Sequence, residues 1–130
     1  MKHVLCLSIV FFIVLWSCET TQVTDKGILE GKINIGPLCP VETIPPKPEC
    51  IPTKETYDNW PIYIWTLDKK EKIAVLQPEL NGNYTIELPV GSYIIDLEKQ
   101  HRFGKNLPAT VTIKNMETTP LDINIDTGIR

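Results

Sequence analysis

The chain has 130 residues, of which 42% are hydrophobic and 22% are charged, and its formal net charge is −3. This composition excludes a disordered tail and a multi-span membrane protein, and the length allows one main domain. No basic run is present that could neutralise phosphates, so we expect no nucleic-acid partner. The 11 prolines disfavour long helices, because an interior proline removes a backbone donor and clashes with the preceding turn.

The N-terminal residues have the pattern of an export signal. Lys2 and His3 precede an apolar stretch over residues 4–16 that only Cys6 and Ser8 interrupt. A membrane-spanning helix needs about 20 apolar residues, and this stretch is shorter. Its length is typical of the core of a signal peptide, so we predict a signal peptide over residues 1–17.

The end of this stretch, Leu15-Trp16-Ser17-Cys18, resembles the lipobox of bacterial lipoproteins. In that family the cysteine receives a diacylglyceryl group, the chain is cleaved before it, and the new amino group is acylated. The resemblance implies that Cys18 is lipidated, that residues 18–26 form a tether, and that the protein is anchored in the cell envelope. Trp16 departs from the pattern, which usually has a small residue there. An ordinary secretory signal or an uncleaved anchor is the alternative.

Two cysteines remain for the body of the protein. Cys6 lies in the signal and Cys18 at the lipidation site, which leaves Cys39 and Cys50. In an exported chain such a pair favours a disulfide. The alternative is a structural zinc site, which needs four nitrogen or sulfur ligands. Beyond the signal the chain has one histidine, His101, and no third spare thiol, so we expect the disulfide and no metal.

From residue 27 onward the sequence is a series of short apolar segments separated by Gly, Pro and Asn. Apolar and polar residues alternate in most of them, which is typical of strands with one buried and one solvated face. Such strands bury their apolar faces when two sheets stack. We therefore predict an all-β domain over residues 27–130, a single sandwich of seven antiparallel strands. The predicted strands are Gly27–Ile35, Ile62–Leu67, Lys72–Gln77, Gly82–Leu88, Gly91–Glu98, Leu107–Ile113 and Pro120–Asp126.

One long irregular region, Gly36–Pro61, interrupts this pattern and holds seven of the 11 prolines. Connections in compact domains usually have about 4–6 residues, and much longer ones are often functional. Prolines would stiffen this region and a bond between Cys39 and Cys50 would close it. We expect a fixed excursion at the surface.

Three stretches together resemble a known group of proteins. Gly36–Glu42 reads GPLCPVE, Gly82–Tyr84 and Leu88–Tyr93 contribute GNY and LPVGSY, and Asp126–Arg130 reads DTGIR. They are similar to small exported bacterial proteins with a carboxypeptidase-regulatory-like, transthyretin-like β-sandwich, in which a GPxCPV segment, a second cysteine and an SGIR-type C-terminus recur. The resemblance spans residues 27–130. It implies an Ig-like Greek-key sandwich that is generally non-catalytic and has no cofactor.

Two related families have signatures that this sequence lacks. Collagen-adhesin B-type domains form a Lys–Asn isopeptide bond with the help of a glutamate four residues after the tyrosine of GxY. Leu97 stands at that spacing from Tyr93, and Glu98 is one residue out of register. Transthyretin-like hydroxyisourate hydrolases end in Tyr-Arg-Gly-Ser, whereas this chain ends in Gly-Ile-Arg.

Residues that could perform chemistry are few. Ser92 and His101 are the serine and histidine available outside the signal for a nucleophile pair, which makes a small hydrolase one alternative. Asp122 and Asp126 are four residues apart and could bind calcium, although carboxylates on a strand more often keep its outer face solvated. We therefore predict no catalytic residues and no metal site.

Four aromatic residues, Tyr57, Trp60, Tyr63 and Trp65, cluster near the end of the proline-rich region. Aromatic rings at a rim can stack on sugars or dock a peptide, but they can also simply fill a core. Two functional hypotheses follow. The first is a lipid-anchored, non-catalytic structural or interaction module that meets a partner through its disulfide-closed loop. The second is a carbohydrate- or peptide-binding accessory protein that uses the four aromatic residues.

Overall fold

Eight strands, one short helix and one 3₁₀ turn make up the computed structural model, which describes residues 24–98 and 106–130. The predicted signal peptide, Cys18 and His101 lie outside the described residues. The elements in chain order are β1 (Lys26–Gly36), a 3₁₀ turn (Pro48–Cys50), α1 (Lys54–Asp58), β2 (Ile62–Thr66), β3 (Lys72–Val75), β4 (Asn83–Pro89), β5 (Gly91–Leu97), β6 (Ala109–Ile113), β7 (Thr118–Pro120) and β8 (Ile123–Asp126).

The strands form two sheets, which confirms the predicted all-β sandwich. One sheet has the order β3-β2-β5-β6, and all its pairs are antiparallel. In the other sheet β1 lies between β4 on one side and β7 and β8 on the other. The β1–β4 pair is antiparallel, whereas β7 and β8 run parallel to β1. The expectation of a purely antiparallel sandwich was therefore wrong for this edge.

The last predicted strand, Pro120–Asp126, overlaps the end of β7 and all of β8, so residues 24–98 and 106–130 form eight strands instead of seven. Pro120 ends β7 because it has no backbone N–H to continue the ladder. Leu121, the next residue, still donates its N–H to the Glu30 carbonyl at 2.8 Å. The Asp122 carboxylate, however, accepts from the Lys32 N–H at 2.9 Å. This side-chain bond takes the place of a backbone bond before β8 resumes pairing at Ile123.

The core lies between the sheets and consists mostly of the alternate positions that the pattern predicts. Ile64 and Ile95 from one sheet and Leu29 and Ile123 from the other are completely buried. Leu107, Ala109 and Ile86 also stand at apolar positions of this alternation, but they are only partly buried at the margin of the core. Burying a side chain of this size stabilises the fold by roughly 1.5–3 kcal/mol, so the alternation explains most of the driving force for stacking.

Two turns hold the middle strands in register. Gly82 has a φ of +86°, and an added Cβ there would lie 2.4 Å from the Ile33 carbonyl oxygen, so both conformation and space require glycine. After β4, the Tyr93 hydroxyl donates to the Pro89 carbonyl at 2.8 Å and closes the corner into β5. The LPVGSY stretch is thus a tyrosine corner of the kind that sandwich folds use.

The irregular region is partly structured. A disulfide joins Cys39 to Cys50, with 5.4 Å between their Cα atoms, which confirms the predicted pairing. The region was predicted to be irregular throughout, but α1 forms within it. Thr53 begins this helix: its hydroxyl accepts from the Thr56 N–H at 3.4 Å, and the Thr56 hydroxyl accepts from the Thr53 N–H at 3.0 Å. This reciprocal cap stabilises a helix that is too short to form from propensity alone.

Candidate binding surface

The four predicted aromatic residues are distributed over three places. Tyr57 on α1 is buried at 7% exposure, and the half-buried Trp60 packs against the core just after α1. Tyr63 and Trp65 alternate with buried isoleucines along β2 and are half-buried on its other face. The structure therefore brings Tyr57 and Tyr63 to one groove and Tyr63 and Trp65 to one sheet face, but it places Trp60 elsewhere.

The groove that contains Tyr57 and Tyr63 has a volume of about 620 Å³. Helix α1 forms one wall, and the end of β3 with the segment that follows it forms the other. Most of its lining is apolar, and Leu80, at 70% exposure, stands at its mouth. At the rim the Lys54 ammonium pairs with the Asp58 carboxylate at 2.5 Å. An apolar groove with a few polar groups at its edge suits a peptide or a small apolar ligand.

Lys72 covers part of the aromatic pair on the outer face of β2. Its Nζ lies 4.0 Å from the centroid of the Tyr63 ring and 5.2 Å from that of Trp65. The same ammonium donates to Glu98 Oε1 at 2.6 Å, and this hydrogen bond is the main cause of the raised pKa of Lys72. The Lys72 ammonium is thus held by the aromatic rings and by the Glu98 carboxylate. The two rings, 6.2 Å apart at 61°, are not an open platform for a sugar.

The disulfide-closed loop is the most exposed feature of the described chain segment 36–61. Every residue from 40 to 49 is exposed, including Ile44 at 102% and Val41 at 72%. The loop is tied to the body at its base, where the half-buried Leu38 packs against the core. The sequence prediction of a fixed surface excursion agrees with this arrangement.

The C-terminal segment docks on the start of this loop. The Thr127 N–H donates to the Gly36 carbonyl at 3.2 Å, and the Thr127 hydroxyl donates to the Pro37 carbonyl. Arg130 makes two hydrogen bonds to the Asp126 carboxylate, at 2.8 and 3.1 Å, and they raise the pKa of the Arg130 guanidinium. The GPLCPVE and DTGIR stretches, which carry the family resemblance, are therefore neighbours in space.

The candidate carboxylates have separate structural partners. Asp122 accepts from the Lys32 N–H, whereas Asp126 is engaged by Arg130 and by the Gly128 N–H at 2.9 Å. Within residues 24–98 and 106–130, no group of three or more His, Cys, Asp or Glu side chains gathers in a way that could hold a metal ion. The arrangement gives these two carboxylates structural roles at the sheet edge.

The described residues include only one member of the nucleophile pair that was considered as an alternative. The Ser92 hydroxyl lies 3.0 Å from the Thr112 hydroxyl across the β5–β6 pair, as is common for polar cross-strand neighbours. His101 belongs to the segment outside the described residues. A small hydrolase that uses these two residues stays an untested alternative.

The groove between α1 and residues 77–80 was not among the sequence predictions, although the sequence carries a signal for each of its two walls. Pro52-Thr53 followed by Thr56 is a helix-start pattern that places Tyr57 one turn into a helix. After β3 ends at Val75, the segment that contains Pro78 leaves the sheet, and Gly82 turns the chain back before β4. Neither signal alone indicates that the helix and this segment face each other.

The comparisons with known proteins concern the fold. No protein-family model matches the chain, and a search of curated proteins finds no match. Among solved structures the chain is similar to GBS52, the minor pilin of the Gram-positive pathogen Streptococcus agalactiae, with a TM-score of 0.51 and 14% identity over 78% of this chain and 44% of that one. It also matches a DUF3823 family protein from Parabacteroides merdae, with a TM-score of 0.47 and 12% identity over 78% of this chain and 46% of that one.

Of these two matches, the one to the minor pilin, with a TM-score above 0.5, supports the assignment of the fold. The chain spans less than half the length of either protein. At 14% identity the likeness to the minor pilin shows a shared β-sandwich and nothing about chemistry. Within the described residues, no helix has the length and hydrophobicity needed to cross a membrane.

Proposed function

We propose that this protein is a lipid-anchored β-sandwich module of the cell envelope, with a non-catalytic structural or interaction role. The observation that carries the proposal is the disulfide between Cys39 and Cys50, which closes a fully exposed loop. Disulfides persist in oxidising compartments outside the cytoplasm, and this one supports export. The lipobox-like sequence at Cys18 supplies the anchor, and residues 18–26 supply the tether.

We further propose that the domain is a carboxypeptidase-regulatory-like, transthyretin-like sandwich. Two observations support the assignment: the tyrosine corner in LPVGSY, and the packing of the DTGIR segment on the GPLCPVE segment. The sandwich shared with a minor pilin supports a role in presenting a surface outside the cell. In this role the sheets are a rigid base, and the loop that they carry meets the partner.

The anchor is tested by intact-mass analysis of the full-length protein expressed in a bacterium that processes lipoproteins. We expect a membrane-extracted product with the mass of residues 18–130 plus acyl groups, and about 2 Da less for the disulfide. The matched control is Cys18→Ser, which should yield no acylated product. A water-soluble, unmodified wild-type protein would contradict the anchor.

A second candidate function, binding of a peptide or a carbohydrate, is favoured by the groove between α1 and residues 77–80. Tyr57 and Tyr63 contribute to the lining of the groove, and Leu80 offers an exposed apolar contact. Prolines and aliphatic side chains dock well in aromatic-lined grooves, which favours a proline-rich peptide over a sugar. The Lys72 ammonium over the neighbouring rings weakens the case for sugar stacking.

Trp65 fluorescence can report such binding, because its ring lies 6.2 Å from that of Tyr63. Titration with a proline-rich peptide should change this fluorescence, and Leu80→Ser should weaken binding by about tenfold or more. Thr85→Ala, on the exposed face of the other sheet, is the control and should bind like wild type. Equal affinities for wild type and Leu80→Ser would exclude the groove, and saturable binding of an oligosaccharide instead would reassign its ligand.

A further inference from the structure

The end of the sandwich at which β1 begins carries exposed apolar residues. The Val90 N–H donates to the Asp25 carbonyl at 2.9 Å, on the side of β4. The Met116 N–H donates to the Lys26 carbonyl at 2.8 Å, on the side of β7. Val90 is 47% exposed and Met116 is 92% exposed. The start of β1 is therefore flanked by an exposed apolar residue on each side.

A third turn at this end also has an exposed apolar residue. Thr66, the last residue of β2, pairs with Tyr93 near the start of β5. The chain therefore leaves β2 at the end where Val90 leads into β5, and Leu67, the first residue of the turn, is 55% exposed. Among the described residues, the β2–β3, β4–β5 and β6–β7 turns at this end thus each present one apolar side chain to solvent.

Met116 is the least expected of the three residues. Its φ of +57° lies in the left-handed region, which favours glycine or asparagine. Its side chain is almost completely exposed, so packing within the domain does not favour methionine either. A flexible, polarisable apolar side chain in this position is suited to contact with an apolar phase outside the domain.

The proposed tether limits how far this end can lie from a membrane. Residues 18–24 span at most about 25 Å when fully extended. The 11 residues of β1 lead from this end to the base of the disulfide-closed loop, over about 35 Å. Leu80, the exposed apolar residue at the groove, lies most of this length away, because nearby Gly82 accepts from the Ile33 N–H. The end that carries Met116 is therefore the end closest to the lipid.

Attachment through a lipid allows a small surface to hold the domain in contact with the bilayer. A short linker makes the second contact intramolecular, at an effective concentration of about 1 mM. Three apolar side chains that bind a bilayer too weakly to hold a free domain can therefore stay in contact when the domain is tethered.

The charges at this end indicate the kind of bilayer. Lys26 pairs with Glu87 at 2.8 Å, and Lys114 Nζ lies 3.8 Å from a Glu117 carboxylate oxygen. Recognition of an anionic membrane depends on a surplus of basic side chains, whereas these two lysines have acidic partners. The arrangement favours apolar contact with a zwitterionic bilayer.

We propose that Leu67, Val90 and Met116 form a membrane-contact surface that rests on the zwitterionic bilayer in which Cys18 is anchored. The proposal rests on the lipid anchor proposed above and deepens it. With this surface on the membrane, β1 leads away from the bilayer, and the disulfide-closed loop is directed toward partners outside.

Oxidation of Met116 reports directly on this contact. The chain has two methionines, and the other one, Met1, lies in the predicted signal peptide. A water-soluble oxidant such as hydrogen peroxide converts an exposed methionine to the sulfoxide, which peptide mass mapping detects. Leu80→Met adds a reference methionine at an exposed position far from the membrane-contact surface.

The attachment is made chemically, so that the result does not depend on acylation in the cell. Residues 18–130, exported behind a signal without a lipobox, keep every described residue and the disulfide, and Cys18 supplies the free thiol. This thiol is coupled to a maleimide-bearing lipid in preformed phosphatidylcholine vesicles. The reference is the same protein in solution, with the thiol capped by N-ethylmaleimide.

In solution both methionines of Leu80→Met should oxidise at rates within about threefold of each other, because both positions are exposed. On vesicles the oxidation of Met116 should slow about tenfold or more, as expected when the contact is formed about 90% of the time. The rate at position 80 should change by less than about twofold. Added phosphatidylglycerol should leave these rates unchanged, because the contact is apolar.

Val90→Asp distinguishes a membrane contact from shielding by the tether alone. A carboxylate at this position would have to lose water against the bilayer, so the rate for Met116 on vesicles should return to within about twofold of the solution rate. Ile44→Asp makes the same kind of change in the loop and should keep the protection. Both positions are exposed, and unchanged thermal unfolding would show that the variants fold.

Four outcomes would overturn the proposal. Equal oxidation of Met116 on vesicles and in solution would exclude the contact, and protection at position 80 instead would place the other end on the membrane. Protection that survives Val90→Asp, or that requires phosphatidylglycerol, would exclude an apolar contact through these turns. Failure of the anchor is distinguishable from all four, because the intact mass of the cell-derived protein measures it independently.

Discussion

The sandwich core and the disulfide-closed loop hold their shapes by different means. In the core, Ile64 is completely buried between two sheets, whereas Ile44 in the loop is fully exposed. The core is stable because apolar area leaves water, and the loop has a fixed shape because a covalent bond and prolines restrict it. An isoleucine therefore does not by itself indicate a buried position. Its neighbours in sequence, an alternating strand or a proline-rich loop, show whether it packs in the core or lies in solvent.

Truncating one isoleucine in each region tests whether the core side chain stabilises the fold and the loop side chain does not. Ile64→Ala should lower the free energy of unfolding by about 2–5 kcal/mol, because it leaves a cavity between the sheets. Ile44→Ala should change it by less than about 0.5 kcal/mol, because the side chain already lies in water. Urea titration measures both values. Comparable losses would mean that the loop folds back onto the body in solution.

The covalent closure is tested by replacing both cysteines. Cys39→Ser combined with Cys50→Ser should lower the free energy of unfolding by about 3 kcal/mol, the entropy of closing a 12-residue ring in the unfolded chain. The far-ultraviolet circular dichroism should keep its β-sheet signature, because neither cysteine belongs to a strand. Loss of the sheet signal would show that the sandwich needs the closed loop in order to fold.

A buried hydroxyl gives a smaller effect that depends on pH. Tyr84 donates to the Leu121 carbonyl at 2.5 Å, so Tyr84→Phe should cost about 1 kcal/mol. Burial, with a smaller contribution from Asp122, raises the pKa of Tyr84. The fold thus prefers the neutral phenol, so its stabilising effect is complete below the unfolded pKa of about 10 and is lost as the pH rises beyond that value.

Unfolding by urea between pH 8 and 11 measures this dependence. Wild type should lose stability as the pH rises above about 10, and Tyr84→Phe should lose less. Some alkaline sensitivity should persist in the variant, because burial also raises the pKa of Tyr57 and Tyr93. If wild type and Tyr84→Phe lost stability equally as the pH rises, ionisation of Tyr84 would not be a cause of that loss.

The smallest predicted effect concerns the start of α1. Thr53→Ala removes the side-chain acceptor for the Thr56 N–H and should cost about 0.5 kcal/mol, the lower end for helix caps, since the helix has five residues. Because the Trp60 N–H donates to the Tyr57 carbonyl of α1 at 3.1 Å, the variant should also change the fluorescence of Trp60. Thr110→Ala, at an exposed position on β6, is the control. If it lowered the stability as much as Thr53→Ala, the loss could not be assigned to the helix cap.

Much of the fold was predictable from alternation, because a strand with one buried face must place every second side chain inside. Leu29, Ile33, Ile95 and Ile113 stand at the apolar positions of this alternation, and all four are buried in the core. The alternation could not show that β7 and β8 lie parallel to β1. That pairing depends on the turn after β6, where the Lys26 carbonyl accepts from the Met116 N–H, and not on any apolar period.

The candidate site was less predictable. The disulfide followed from the number of cysteines in an exported chain, but the groove is formed by segments distant in sequence. Tyr57 belongs to a helix too short to have a period, and its burial depends on packing that no local pattern contains. Trp65 and Tyr63 were recognised as aromatic candidates, but the Lys72 ammonium that covers them comes from the neighbouring strand.

The central claim is that a rigid sandwich presents a loop that contributes nothing to the core, and amide hydrogen exchange tests it most directly. Under native conditions the amides of β1, β2 and β5 should exchange slowly, and those of Val41, Glu42, Thr43 and Ile44 should exchange almost as fast as in an unfolded peptide. After reduction of the disulfide the strand amides should still be the slowest of the domain, although a loss of about 3 kcal/mol in the free energy of unfolding should speed their exchange by roughly 100-fold. Protection of the loop amides to the level of the strands would contradict the account.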